Sequence, residues 1–187
     1  DVGAVCSCEA CIYDRQNENF TSSGSVIKLL NAVNVYVREW MTRPENAPYK
    51  RDNFHIVSFA YSTLSTAPAI YSESEGKYVP CNDEVVGDEG VGIYYADNLY
   101  ANYMTPLFAP ENEDCVGNWE AWDACVDYFW FWGYPTIPGA TIYPHDSRAF
   151  FNNDTFQYLA SKDVSFTFLE SQDKGDNATS FQNFSCW

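Results

Sequence analysis

The chain has 187 residues, 46% of them apolar, which suffices for one domain with a sizeable core and excludes general disorder. Ten basic against 26 acidic residues leave a formal net charge of −16, which makes nucleic acid and anionic membranes poor partners by repulsion, and neither is expected. The sequence contains no apolar run of the roughly 18 residues that a membrane span needs.

Asp1 reads as the end of a strand whose partners precede it, and with no leader segment or initiator Met the chain is expected to be processed or part of a longer protein. Cys6, Cys8 and Cys11 follow as a cysteine-dense loop. A structural zinc site needs four ligands, commonly as two spaced pairs, and neither His55 nor His145 is near these three in sequence. No metal is therefore expected. Disulfides among Cys6, Cys8, Cys11, Cys81, Cys115, Cys125 and Cys186 are expected instead, with one thiol of the odd total left free or paired outside the chain.

Val26, Leu29, Leu30, Val33, Val37 and Trp40 recur at helical spacing behind an N-cap at Ser23 or Ser25, and Pro44 and Pro48 end that helix. The apolar run from His55 to Tyr61 predicts a buried strand. Ser72 to Glu89 is polar and acidic and predicts a long surface excursion. Val91 to Tyr95 predicts a second strand, Asn118 to Tyr128 a helix, and Phe129 to Gly133 a third strand. Asp146 or Ser147 caps a helix through Phe150, Phe156 and Leu159, and Val164 to Leu169 forms a last strand before a polar tail, 171–187.

Strands alternating with helices predict an α/β fold of parallel strands with crossover helices. Four strands, with one implied before Asp1, match the C-terminal part of a (β/α)8 TIM-type barrel spanning residues 1–170. Half a barrel has two open edges, so the remaining half is expected in the parent protein or in other chains of an assembly. Sequons at Asn19, Asn153, Asn177 and Asn183 join the cysteines in predicting a secreted, extracellular glycoprotein.

Several segments in the same order resemble DUF4838, a bacterial family of uncharacterised domains in secreted glycan-degrading proteins. They are Asp1 with Cys6-Ser7-Cys8-Glu9-Ala10-Cys11, Ser23 to Val26 with Asn31 and Asn34, Phe59-Ala60-Tyr61 with Pro68, Trp130 to Pro135, and Val164 to Glu170. Here Gly133 interrupts the usual aromatic-acid-Tyr order of the fourth segment. The resemblance implies a glycoside hydrolase-like barrel similar to α-glucuronidases and hexosaminidases, with an α/β domain preceding it.

In such barrels the active face lies at the C-terminal strand ends, and glycoside hydrolysis uses a pair of carboxyl groups there. Glu170 and Asp97, with Asp1 as the third, are the expected catalytic acids, unless each simply caps a helix or faces water. Tyr61, Tyr94, Tyr95, Trp130, Trp132 and Tyr134 can line a sugar cleft, about half of them serving the core instead. His145 with Asp146 is either a ligand site or a loop hydrogen bond. No phosphate-binding glycine loop, Ser-His-Asp order or metal-binding helix occurs, and no cofactor is expected. The expected partner is a polysaccharide or glycan, acted on by an enzyme or held by a catalytically inactive binding or structural protein.

Overall fold

The computed structural model describes residues 6–17, 21–96, 102–133, 149–162, 164 and 166–169. Helices α1 (Glu9–Asn17) and α2 (Ser22–Thr42) precede strand β1 (Ile56–Ala60). A hairpin of β2 (Ala69–Ser72) and β3 (Lys77–Pro80) leads to β4 (Val91–Tyr95). Then come α3 (Glu113–Asp123), β5 (Tyr128–Gly133), α4 (Asn153–Ser161) and β6 (Phe166–Leu169).

Strands β1, β4, β5 and β6 form one parallel sheet in chain order, with Phe59 paired to Tyr94, Tyr94 to Trp130 and Trp130 to Phe166. The expected α/β class is therefore present, with α3 and α4 as crossovers. Between β1 and β4 the crossover is instead the antiparallel hairpin β2–β3. The acidic stretch expected as a surface excursion is thus partly ordered, with Gly76 turning the hairpin at φ +65°. No described helix is long and apolar enough to cross a membrane.

Parallel strands added in chain order, with crossovers of one hand, place every crossover on the same face of the sheet. The described helices follow that rule. Ile27 of α2 joins Ala60 and Ile93 in the core, while Trp119 of α3 meets Tyr95 and Phe131 at ring-centroid distances of 6.1 and 5.0 Å. Tyr158 of α4 lies over the other side of Trp119, and Phe150 and Phe151 close the cluster.

Several boundaries differ from the sequence reading, each for a local reason. The cysteine-rich segment is not wholly loop, because α1 begins at Glu9 and contains Cys11. Helix α2 is capped by Thr21, whose hydroxyl accepts from the Gly24 amide at 3.3 Å, ahead of the expected serines. Helix α3 starts five residues early, at Glu113, behind a turn containing Pro110. Asn152, accepting from the Thr155 amide, caps α4, whereas Asp146 and Ser147 lie outside the described residues.

The buried stripe of α2 is also rotated from the apolar one. Ser23, Ile27, Asn34 and Met41 face inward, while Leu29 and Val33 are exposed. Polar side chains of this helix, Asn34 buried and Asn31 and Arg38 half-buried, clamp other segments. Asn31 donates to the Val86 carbonyl at 2.8 Å and accepts from the Asp88 amide at 2.9 Å. Asn34 and Arg38 both donate to the Glu89 carbonyl, at 3.2 and 2.9 Å, and Arg38 Nε also donates to Asn34 Oδ1. These bonds fix the approach to β4. Gly90 is required there, since its φ is +86° and a Cβ would stand 2.5 Å from Arg38 Nη2.

Candidate functional site

Strand alternation sends neighbouring residues to opposite faces of the sheet. On the face opposite the helices, Phe59, Tyr94, Trp130 and Trp132 form a continuous aromatic surface. Phe59 stacks on Tyr94 with centroids 5.3 Å apart, and Tyr94 meets Trp130 and Trp132 at 5.8 and 5.2 Å. Trp132 closes the group against Phe59 at 5.7 Å. Phe59 and, at the C-terminal end of β1, Tyr61 are each 43% exposed; the other three rings are half-buried. Burial pushes the Tyr94 phenol above its ordinary range, so it stays a neutral hydrogen-bonding group at all physiological pH values.

Of the rings expected to line a cleft, Tyr61, Tyr94, Trp130 and Trp132 are accessible in part. Tyr95 is not a ligand-facing residue: it is fully buried beneath α3, where its hydroxyl meets Asn118 Nδ2 at 3.1 Å. The reason is its parity with Ile93 on β4, which directs it to the helical side. Phe59 was not among the expected site residues, although its spacing of two from Tyr61 was the available signal. Beyond Tyr61, Ser62 takes φ +54°, a left-handed conformation rare for a residue with a side chain.

The expected acids Asp1, Asp97 and Glu170 lie outside the described residues, as do Tyr134, His145, Cys186, Asn19, Asn177 and Asn183. Asn153 is exposed on the first turn of α4. Thr155 of the same sequon is buried and donates its hydroxyl to the Phe150 carbonyl.

A second concavity, with a volume of about 600 Å³, opens between the hairpin, the 107–110 loop and α3. Tyr71, Tyr78 and Phe108 supply its rings, and Glu113 and Glu120 its carboxylates. The two glutamates stand seven residues apart on α3, hence on one helix face. Glu120 Oε1 accepts from the Tyr158 hydroxyl at 3.3 Å. Burial first, and then the charge of Glu120, raise the phenols of both Tyr78 and Tyr158. No single motif marks this groove, which is assembled from three separate segments.

Among the described residues, which leave out Cys186, no two of Cys6, Cys8, Cys11, Cys81, Cys115 and Cys125 stand at disulfide-bonding distance. Cys115 and Cys125 are buried in the core, whereas Cys6 and Cys8 are exposed, which separates the two sets. The Cys81 amide and the Cys125 thiol both donate to the Pro68 carbonyl, at 2.9 and 3.8 Å. Burial, followed by the neighbouring Cys81, pushes the Cys125 thiol up to about 12.

Cys6, Cys8 and Cys11 converge, with all three sulfurs within 4.8 Å of one another. Cys8 immediately precedes α1 and its carbonyl accepts from the Ile12 amide at 3.0 Å, so it occupies the N-cap position. The Cys11 backbone amide, and then the Cys6 and Cys11 thiols, lower the Cys8 thiol to about 7. Comparison with known proteins finds no matching family model, no matching curated protein and no matching solved structure.

Proposed function

We propose that this chain is part of a secreted (β/α)-barrel domain that holds a polysaccharide or oligosaccharide against the aromatic face of its sheet. The observation that carries the reading is the one-sidedness of the sheet. Described helices pack on one face, while Phe59, Tyr94, Trp130 and Trp132 occupy the other. A helix-free face is what a barrel wall turns inward, where rings along the strands pack as core and those at the C-terminal ends, such as Trp132 and Tyr61, reach the mouth. A doubly wound sheet carries helices on both faces. Among the described residues β1 and β6 are the edge strands, and there further strands of the barrel would join, from the parent protein or from other chains.

Sugar rings present apolar C–H faces and polar rims, and flat aromatic side chains with polar handles match both. The sequons at Asn19, Asn153, Asn177 and Asn183 and the resemblance to DUF4838 support the same extracellular, carbohydrate-directed reading.

Hydrolysis is the second reading, favoured by the order of the strands. Asp97 and Glu170 follow β4 and β6 in sequence, and β5 alone separates those strands. Ordinary strand spacing sets β4 and β6 about 9–10 Å apart. Carboxyl pairs of inverting glycosidases stand about 6.5–9.5 Å apart. A panel of neutral, amino-sugar and uronic-acid oligosaccharides titrated into the full chain, with tryptophan fluorescence as readout, tests binding. Saturable quenching by one class supports the reading; no response across the panel rejects it. Loss of product formation in Asp97→Asn and Glu170→Gln, with quenching retained, assigns the hydrolytic role.

A further inference from the structure

We propose that Cys6, Cys8 and Cys11 bind one thiophilic d10 cation of the Zn2+ type through three thiolates, leaving its fourth coordination position to water. This site is independent of the aromatic face and does not depend on the glycan reading.

Three features support it. The first is convergence: the three sulfurs lie within 4.8 Å of one another, and no further Cys, His, Asp or Glu among the described residues joins the group. A Zn–S length of about 2.3 Å with tetrahedral angles sets neighbouring sulfurs about 3.8 Å apart. Closing the cluster onto an ion therefore requires sulfur displacements on the order of 1 Å.

The second is the way the backbone builds the cluster. Cys8 takes the N-cap position of α1 and Cys11 lies in its first turn, the relation by which an N-cap side chain turns back over the helix start. Cys6 precedes them by one intervening residue and folds over the same end. The exposed backbone amides and the positive end of the helix dipole favour the negative charge that three thiolates carry.

The third is accessibility and donor type. Cys6 and Cys8 are exposed and Cys11 is half-buried, so an ion can enter without unfolding the chain. An all-sulfur donor set selects soft cations over Mg2+ or Ca2+. A single disulfide would use two of these sulfurs and leave the third beside it, whereas one ion engages all three.

Binding balances without a redox reagent. Each thiol releases a proton to the buffer, each sulfur forms one bond to the ion, and a water retained from its hydration shell fills the remaining position. The resulting Zn(SR)3(OH2) centre carries a net charge of −1.

The test uses the full chain, reduced and kept free of oxygen. It is loaded with Zn2+, freed of excess ion by gel filtration and assayed for metal content, with Co2+ and Cd2+ loading read by thiolate-to-metal charge-transfer absorption. The expected result is one ion per chain and a charge-transfer band, both lost in the Cys6→Ser/Cys8→Ser/Cys11→Ser variant and retained in Cys81→Ser. Circular dichroism of the triple variant checks that the fold survives, and the single substitution Cys6→Ser, in the segment before α1, provides a milder second variant. Equal metal binding by wild type and both cluster variants overturns the proposal. So does the absence of a charge-transfer band in the reduced wild type, or a peptide map of the natively isolated protein that links any of the three cysteines by a disulfide.

Discussion

Phe59 and Tyr94 stack across the β1–β4 pair, with ring planes 17° from parallel, on the face that the described helices leave uncovered. Burial alone does not account for this pair, because Phe59 remains 43% exposed. Aromatic contacts of this kind contribute about 0.5–1.5 kcal/mol beyond area burial. If a sugar ring extends the stack, Phe59→Ala lowers its affinity roughly two- to twelvefold, by conversion of that range. Trp119→Ala, in the core, should instead cost about 3–5 kcal/mol of stability. Binding isotherms and urea unfolding on both variants separate the two effects. Unchanged sugar affinity in Phe59→Ala would remove this ring from the site.

Gly92 shows how closely β4 and β5 approach on the same face. A Cβ there would stand 2.4 Å from both the Cβ and the carbonyl oxygen of Tyr128, its register partner. Backbone atoms cannot yield as a flexible side-chain tip can, so Gly92→Ala must part the strands. Its expected cost is about 3 kcal/mol, at the upper end for overpacking. Gly76→Ala is the control: nothing lies within 4 Å of its Cβ, and only the φ of +65° opposes it. That strain costs about 1–2 kcal/mol. Equilibrium unfolding should rank the two in this order, and equal losses would refute the close approach.

Asn112 organises the turn before α3 while fully buried. Its Oδ1 accepts from the Asn102 amide at 2.6 Å, and its Nδ2 group is shared among the Asn102 and Pro106 carbonyls and the Thr105 hydroxyl, at 2.9–3.1 Å. Asn112→Ala leaves several buried groups without this partner, at about 1–3 kcal/mol for each group that water cannot reach. A loss of roughly 3 kcal/mol is expected. Hydrogen exchange at the Asn102 amide should accelerate in step with it. Exchange unchanged there would show that the turn is held by other contacts.

The strands were readable because continuous apolar runs such as Val91 to Tyr95 have few other uses in a polar, acidic chain. The hairpin was less so, since Ser72 to Gly76 dominates the composition of its region. The flanking pairs Ile70–Tyr71 and Tyr78–Val79 were the quieter signal. In α2 the apolar count pointed to Leu29 and Val33, but hydrogen bonds from Asn31, Asn34 and Arg38 set the rotation of the helix. Hydrophobic periodicity cannot register a polar clamp whose acceptors lie more than 50 residues away. In the structure Asn31 and Asn34 have a scaffolding role. At the site, alternation separates Tyr94 from Tyr95, yet the sequence does not say which of the two faces the helices.

Alkali should destabilise the fold through two buried acids. Burial and then Cys81 raise the Cys125 thiol from 9.0 to about 12, and burial and then Glu120 raise the Tyr158 phenol above 10.0. In both, folding favours the neutral form. Well below pH 9 the folded and unfolded chains hold these protons equally, and neither group makes stability depend on pH. Above the unfolded value the unfolded chain releases its proton first, so stability falls with rising pH until the folded group also ionises. Each group contributes a slope of at most about 1.4 kcal/mol per pH unit, Cys125 from near pH 9 and Tyr158 from near pH 10. Urea unfolding of wild type, Cys125→Ala and Tyr158→Phe across this alkaline range measures those slopes. Whatever each variant loses in packing shifts its whole curve, whereas the change of slope reports the proton. An unaltered slope in Cys125→Ala would mean that its thiol ionises in the folded chain as readily as in the unfolded one.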